Sequence, residues 1–294
     1  MHATATVGRR IFLTLNYAFL IALSLMCLFP LLHVLAVSLS SSAAASGGLV
    51  RFWPVDATFD SYKYILQKKE FIASFIVTLE RVALGFTVNM LMSILCAYPL
   101  SKETKDFRSR TRYAWFFIVT ILFSGGLIPT YIAVSKTYLL DSVWALVLPV
   151  AVPVFNIILM LNFFRGLPRE VEESAFIDGA GHWRTLWSMI VPMSLPVIAT
   201  VSLLTLVGHW NSWFDGLIYM NFPEKYPLST YLQLMVINSN PMKLDPTNLS
   251  AALEISERTT RAAQILLGAL PILIVYPMLQ RFFVKGIVLG SVKA

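Results

Sequence analysis

Six long apolar runs separated by polar segments dominate the amino-acid sequence. Each run is long enough to supply the ~20 apolar residues with which a helix crosses a bilayer. No run alternates apolar and polar residues with a period of two, which is the pattern of strands in membrane barrels. The pattern therefore predicts an all-α polytopic membrane protein with six transmembrane helices. The runs cover residues 11–37, 71–100, 114–134, 142–164, 197–220 and 262–288. The third run is broken by Gly125-Gly126 and Pro129.

The first run follows Arg9 and Arg10 and allows two interpretations. Residues 43–45 are all alanine and resemble the small-residue cleavage site of a signal peptide. The apolar core of a signal peptide has roughly 7–15 residues, however, and the run 11–37 is far longer. We therefore predict an uncleaved transmembrane helix, with a cleaved signal peptide as the alternative.

The composition supports a membrane protein. Hydrophobic residues make up 57% of the chain and charged residues only 13%, and the mean hydropathy is +0.69. Ordinary soluble domains carry about 25% charged residues. This balance excludes a disordered chain, a disulfide scaffold and almost any free-standing soluble enzyme.

The net charge of +7 bears on orientation in the membrane. In a soluble protein such an excess would suggest a nucleic-acid partner, but in a membrane protein cations collect in cytoplasmic loops. We therefore predict no nucleic-acid partner and place the densest cation cluster inside, which puts both termini in the cytoplasm. The same topology places Arg169 inside and Lys243 outside. The cluster consists of Lys102, Lys105, Arg108, Arg110 and Arg112.

The runs divide the chain into three parts. Residues 1–70 form the first span and an extracytoplasmic segment, residues 71–288 form a core of five helices, and residues 289–294 form a cytoplasmic tail. Within the core, residues 165–196 form an inner loop that contains the residues most informative about function.

Motifs for catalysis are not found in the sequence. There is no phosphate-binding Gly-x-x-x-x-Gly-Lys-Ser/Thr loop and no Gly-x-Ser-x-Gly nucleophile turn, and the four histidines lack ligand spacing. We predict no catalytic residue, no metal site and no cofactor on this chain. Two other classes remain as alternatives: an ion-driven secondary carrier and a membrane-embedded enzyme. Charges at mid-membrane, which such carriers usually need, are nearly absent from the runs.

The inner loop predicts two short helices joined by a glycine turn. Pro168 suits a first helical turn, and the acidic residues that follow suit the positive end of the helix dipole. Gly179 and Gly181 are predicted to end this helix, because glycine accepts the left-handed conformation. Pro192 is predicted to stop the second helix, whose apolar residues share one face: Trp183, Leu186, Trp187 and Ile190. An amphipathic helix resting on lipid and a protein-docking element both fit this pattern.

The loop also resembles the EAA motif of permease subunits of binding-protein-dependent ABC importers. The matching residues are Glu173-Ser174-Ala175, Asp178-Gly179-Ala180, Ile190-Val191-Pro192 and Pro196, with serine in place of the usual first alanine. Other segments are similar to the carbohydrate branch of these permeases, and within it to importers of oligosaccharides, including uronate-rich alginate or pectin fragments. These segments cover residues 97–102, 123–129, 210–211 and 283–293.

The resemblance implies a type-I ABC importer permease in the cell inner membrane. It implies a second, homologous permease subunit, two ATP-binding subunits that bind ATP and Mg, an extracytoplasmic solute-binding protein and a sugar substrate. The inner loop would be the coupling element that docks on an ATP-binding subunit. Its coupling residues would be Glu173, Ser174, Ala175, Asp178, Gly179, Ala180 and Gly181.

Aromatic and amide side chains in the runs are candidates for the sugar pathway. Aromatic faces cover the apolar surface of a sugar ring, and amides or acids bond its hydroxyls. On a continuous helix, Trp210 and Trp213 would share a face, as would Asn211 and Asp215. The alternative is that the aromatics anchor the membrane interface and the asparagines bond neighbouring helices. The candidates are Trp210, Asn211, Trp213, Asp215, Asn89 and Asn156.

Overall fold

A computed structural model of the chain describes residues 7–237 and 257–291. Within these ranges every regular element is helical and none is a strand, which confirms the all-α prediction. The helices are α1 (Val7–Ser38), α2 (Ser42–Ser46), α3 (Asp60–Gln67), α4 (Lys69–Ser101), α5 (Arg110–Leu122), α6 (Leu127–Lys136), α7 (Val143–Val147), α8 (Val154–Arg165), α9 (Arg169–Ile177), α10 (His182–Thr185), α11 (Val191–Met193), α12 (Leu195–Asn211), α13 (Phe214–Tyr219), α14 (Leu228–Ile237) and α15 (Glu257–Ser291).

Length and composition identify between three and six membrane spans. Three stretches qualify singly: α1, α4 and the first 22 residues of α15. Three further spans arise if two helical stretches joined by a sharp bend count as one. The bends are 114° between α5 and α6, 49° between Val143–Val150, which includes α7, and α8, and 82° between His182–Met193, which includes α10 and α11, and α12. The upper number equals the number of apolar runs. The bend between α5 and α6 lies at Gly125 and Gly126, where the sequence places its helix breakers.

The described residues fall into two compact units, one drawn from Met1–Lys69 and Ser239–Leu270 and the other from Glu70–Asn238 and Pro271–Ala294. In the first unit, the end of α1 packs against α2 through Ala36, Val37 and Ala44. The alanines that resembled a cleavage site belong to α2, where Ala44 and Ala45 are buried. The uncleaved transmembrane helix stays a prediction.

The second unit holds its core between α4, α8 and α12. Met90, Ile94 and Ala97 lie three or four positions apart on α4 and form one buried face. They share an apolar cluster with Met160 of α8 and Val201 of α12. This core places the inner loop and the end of α12 against opposite parts of the same long helix, α4.

Two predicted features fall outside the described residues. Lys243, which the topology places outside, belongs to the segment between α14 and α15, and residues 292–294 of the predicted tail follow α15. Residues 289–291 of that tail continue α15.

Candidate functional site: inner loop and the break after α12

The first helix of the inner loop forms where the sequence places it. α9 begins after Pro168, with Glu170 and Glu172 in its first turn. Gly179 then adopts a left-handed conformation with φ of +78°, as predicted. Gly181 does not: its φ is −78°, and it caps the start of α10 instead. The prediction that both glycines end α9 is therefore wrong for Gly181.

The second helix of the loop differs from its prediction. After α10 the chain widens into a π-helical turn over Leu186–Ile190 and continues through Pro192 to Met193. Pro192 does not stop the helix, since it lies in the first turn of α11, where the missing N–H costs little. The wider turn also shifts the phase of the side chains. The residues of the predicted apolar face also differ in burial, since Leu186 and Ile190 are buried while Trp183 is 66% exposed.

Two consecutive acids on α9 have different surroundings. The Glu172 carboxylate accepts hydrogen bonds from the Tyr98 hydroxyl, at 3.0 Å, and from the Lys102 ammonium. That ammonium also lies 3.9 Å from the centre of the Tyr98 ring. Burial lowers the pKa of Lys102, and the charge of Glu172 partly offsets this. Glu173, by contrast, is exposed.

The seven predicted coupling residues also divide into buried and exposed ones. Ala175 is fully buried and Ala180 partly buried, so these two support the loop from within. Beside the exposed residues lies Ile177, which is 86% exposed and was not among the predicted coupling residues. Ile177 and Trp183 are two exposed apolar side chains on this loop, and exposed apolar surface is typical of a site that a partner or lipid covers. The exposed predicted residues are Glu173, Ser174, Asp178, Gly179 and Gly181.

The predicted fifth span is interrupted near its C-terminal end. α12 ends at Asn211, and α13 begins only at Phe214. A single helix over residues 197–220 is therefore wrong, and so is the expectation that Trp210 and Trp213, or Asn211 and Asp215, share a helix face. Trp210 is buried, with its ring nearly perpendicular to that of Phe75 at 6.1 Å between the ring centres, and Asn211 is exposed.

Side chains from other helices bind the backbone at this break. The Trp210 carbonyl accepts from the Ser229 hydroxyl, the Ser212 carbonyl from Arg81 at 3.0 Å, and the Trp213 carbonyl from the Thr230 hydroxyl at 2.7 Å. Non-helical backbone at membrane depth persists only where protein or water satisfies its polar groups. These contacts explain why an apolar run breaks without a proline or glycine at the break.

Asp215 lies at the centre of this arrangement. Its carboxylate pairs with the guanidinium of Arg81, whose side chain is 1% exposed. It also accepts from the Ser212 hydroxyl and the Gly216 amide, both at 2.9 Å. With these donors in place, Asp215 is engaged in holding the break. The sequence places Arg81 and Asp215 each towards the outer end of its own run, and only the fold brings them together.

The two predicted asparagines are both buried, as expected for amides that lipid would not solvate. The Asn156 amide donates to the Thr205 hydroxyl of α12 at 3.2 Å, a bond between two membrane helices. The Asn89 side-chain oxygen has no hydrogen-bond partner within the described residues. Among those residues, no group of three or more His, Cys, Asp or Glu side chains could hold a metal ion.

Comparison with known proteins gives the family. The profile of the family described as "binding-protein-dependent transport system inner membrane component" matches residues 19–289. A polygalacturonan/rhamnogalacturonan transport system permease protein, YtcP of Bacillus subtilis (strain 168), is 37% identical over 284 residues, covering 97% of this chain and 99% of the relative. The maltodextrin permease MalD of Streptococcus pneumoniae (strain ATCC BAA-255 / R6) is 25% identical over the full length of both chains.

A solved structure agrees with these relatives. A chain of a bacterial ABC transporter that imports the acidic polysaccharide alginate superimposes with a TM-score of 0.88 and 31% sequence identity, covering 96% of this chain and 99% of that one. The fold is therefore that of a type-I ABC importer permease. Such permease subunits are not themselves enzymes. With its matched profile and its full-length relatives, this chain belongs to the family of binding-protein-dependent transport system inner membrane components, the permease subunits of ABC importers.

Proposed function

We propose that this chain forms one half of the membrane pathway of an importer of uronate-containing oligosaccharides. The observation that carries the substrate class is the likeness over nearly the whole length to two permeases of acidic polysaccharide systems, one for polygalacturonan/rhamnogalacturonan and one for alginate. A homologous second permease subunit would form the other half. An extracytoplasmic solute-binding protein would deliver the sugar.

The inner loop is proposed to dock on one of two ATP-binding subunits, which bind ATP and Mg. Its exposed face combines the carboxylates of Glu173 and Asp178 with the apolar side chains of Ile177 and Trp183. An apolar centre rimmed by charge is typical of a protein interface. Gly179 gives the loop its turn, and Gly181 allows close backbone approach because nothing lies within 4 Å of the place where a Cβ would stand.

The break after α12 is proposed to border the sugar pathway. Asn211 is exposed there and Trp213 is half-buried, so an amide and an aromatic face are available to a saccharide. The Asn89 oxygen, which no described residue bonds, is a further acceptor in the second unit. Trp210 and Asp215 would shape the site from behind, and Asn156 would join α8 to α12.

The proposed topology has six spans, a multi-pass location in the cell inner membrane and both termini in the cytoplasm. We keep the division into residues 1–70, a core of 71–288 and a tail of 289–294. Single cysteines at Lys63, Lys105 and Arg169 test it, since all three side chains are well exposed. A membrane-impermeant maleimide should label position 63 in intact cells and the other two only after permeabilisation. Labelling of position 105 in intact cells would overturn the topology.

Uptake by the reconstituted transporter tests the function. Proteoliposomes containing both permease subunits and the ATP-binding subunits, with ATP inside and solute-binding protein outside, should accumulate labelled oligogalacturonides or oligoalginates. Maltodextrins of equal length serve as the matched control and should not accumulate. Uptake of maltodextrins alone would refute the substrate class. Uptake driven by an ion gradient without ATP would instead support a secondary carrier.

A further inference from the structure

Both helices of the inner loop contact the same turn at the inner end of α4. Glu172 of α9 accepts from Tyr98 and Lys102, as described above. His182 of α10 places its Nδ1 atom 3.4 Å from the Tyr98 hydroxyl, with the two rings edge to face at 6.2 Å. We call Tyr98, Lys102, Glu172 and His182 the α4 clamp.

Within the α4 clamp, the Lys102–Glu172 ion pair is more sheltered than the ion pair beside it, whereas His182 is exposed. The side chains of Lys102 and Glu172 are 12% and 22% exposed, whereas those of Arg169 and Glu103 are 68% and 40% exposed. Exposed pairs contribute little because water and salt screen them, and sheltered pairs are screened much less. Of these two ion pairs, Lys102–Glu172 is therefore the one that water and salt screen less, and it adds a polar contact to the apolar packing of Leu186 and Ile190 against α4.

The clamp lies on a different side of α9 from the proposed docking face. Glu172 is directed to α4, while its neighbour Glu173 and the apolar Ile177 are exposed. The loop thus has one side bound to a membrane helix and another available to a partner. Movement of a partner bound to the exposed side would reach the membrane helix α4 through the residues of the clamp.

The helix that receives this contact reaches the break after α12. α4 is continuous from Lys69 to Ser101. The stretch from Arg81 to Ser101 spans about 30 Å at 1.5 Å per residue. At the outer end of this stretch, Arg81 binds the Ser212 carbonyl and the Asp215 carboxylate. One helix therefore connects the inner loop to the backbone that borders the proposed sugar pathway.

We propose that Tyr98 and Lys102 are positioning residues that transmit movement of the inner loop to α4 through Glu172. This inference rests on the proposed docking of an ATP-binding subunit. When the two ATP-binding subunits close, the loop and the inner end of α4 move as one unit, and Arg81 carries the displacement to the break. Loss of the clamp loosens α9 from α4, so less of the movement of the loop reaches the membrane helix.

Exchange of the two charges tests the proposal. Lys102→Glu and Glu172→Lys are made singly and together in the complete transporter, reconstituted with its ATP-binding subunits and solute-binding protein. Each single variant should retain bound ATP-binding subunits and basal ATPase activity. The ATPase activity stimulated by sugar-loaded binding protein should fall at least about fivefold, the lower end of common coupling effects. The double variant should recover most of it.

Two further variants are controls that distinguish a specific effect from misfolding. Tyr98→Phe keeps the ring and removes the hydroxyl donor, so a smaller loss of stimulated activity is expected. Glu103→Gln removes the exposed pair beside the clamp and should change nothing. Full stimulated activity in both single charge variants, or no recovery in the double variant, would overturn the proposal. So would loss of the ATP-binding subunits from Lys102→Glu. Failure of the unaltered chain to bind those subunits would instead refute the proposed docking.

Discussion

Arg81 and Asp215, 134 positions apart in the sequence, form a two-point ion pair that fixes the break after α12 to α4. Arg81 also donates to the Ser212 carbonyl, so one guanidinium serves both the charge and the backbone of the break. A buried arginine at membrane depth is costly unless it is paired and bonded. Its presence indicates that the broken shape of the fifth span is a requirement of the fold.

Asp215→Ala should therefore destabilise the protein more than Arg81→Met. The first substitution leaves a buried, uncompensated guanidinium, which typically costs about 3–5 kcal/mol. The second leaves Asp215 with its bonds from Ser212 and Gly216. Thermal unfolding of the purified complex in detergent measures the difference. Glu80→Gln, at the exposed neighbouring position, is the control and should not shift the midpoint. Equal midpoints for all three variants would contradict the role of the pair.

A close approach between α4 and α12 gives a second prediction. A Cβ at Gly85 would overlap the imidazole ring of His209, whose side chain is buried. Gly85→Ala should therefore destabilise the second unit by about 1–3 kcal/mol through overpacking. Adding His209→Ala removes the clash, so the double variant should be more stable than Gly85→Ala alone. A double variant less stable than Gly85→Ala would show that His209 does not impose the glycine.

The two loop glycines form a matched pair for a third prediction. Gly179 has a φ of +78°, so Gly179→Ala should strain the turn at a cost of about 1–2 kcal/mol. Gly179→Asn should cost less, because asparagine tolerates this conformation better. Gly181 has a φ of −78°, and a Cβ added there would meet nothing within 4 Å, so Gly181→Ala should leave stability unchanged. Loss of the ATP-binding subunits from Gly181→Ala would then report contact with the partner. Equal stability of the two alanine variants, measured by thermal unfolding, would contradict the conformational argument.

Acid should weaken a contact on the predicted outer side. Burial alone would raise the pKa of Asp141, but the Lys225 ammonium and the Asn221 amide outweigh it and hold the pKa below its ordinary value of 3.8. A depressed pKa in the folded state contributes stability above the unfolded pKa and loses it as pH falls through the folded value. Asp141→Asn should therefore reduce stability at about pH 6, above the unfolded pKa, and have little effect at the lowest pH tolerated. The unfolding midpoints of the unaltered protein and of Asp141→Asn are measured across this pH range. A constant difference between the two midpoints at every pH would contradict the account.

The sequence predicted the spans formed by α1, α4 and the first part of α15 well, because a bilayer imposes one strong condition on every crossing helix. It also placed the bend between α5 and α6, since Gly125 and Gly126 are local signals. It missed the break after α12 because the cause is not local. The donors that satisfy the freed carbonyls come from Arg81, Ser229 and Thr230, which no pattern within the run reveals.

The inner loop likewise has one feature that the sequence predicts and others that it does not. Gly179 could be assigned to a left-handed turn from the sequence, because few other residues accept that conformation. Glu172 and Glu173 could not be distinguished, since two adjacent acids on one helix look alike until the neighbouring helix is in place. Tyr98 and Lys102 lie in the segment 97–102, which resembles the carbohydrate branch of these permeases. The sequence does not indicate that these two residues contact Glu172.

Photo-crosslinking from Ile177 tests the central claim most directly, since it decides what covers the exposed face of the inner loop. A photoreactive amino acid at position 177, in the complete transporter reconstituted in lipid, should form a covalent product with an ATP-binding subunit, and its yield should change when ATP is added. The same probe at Lys63 should give no product with that subunit. Products with lipid alone at position 177 would show that the loop rests on the membrane surface, and would contradict the coupling role.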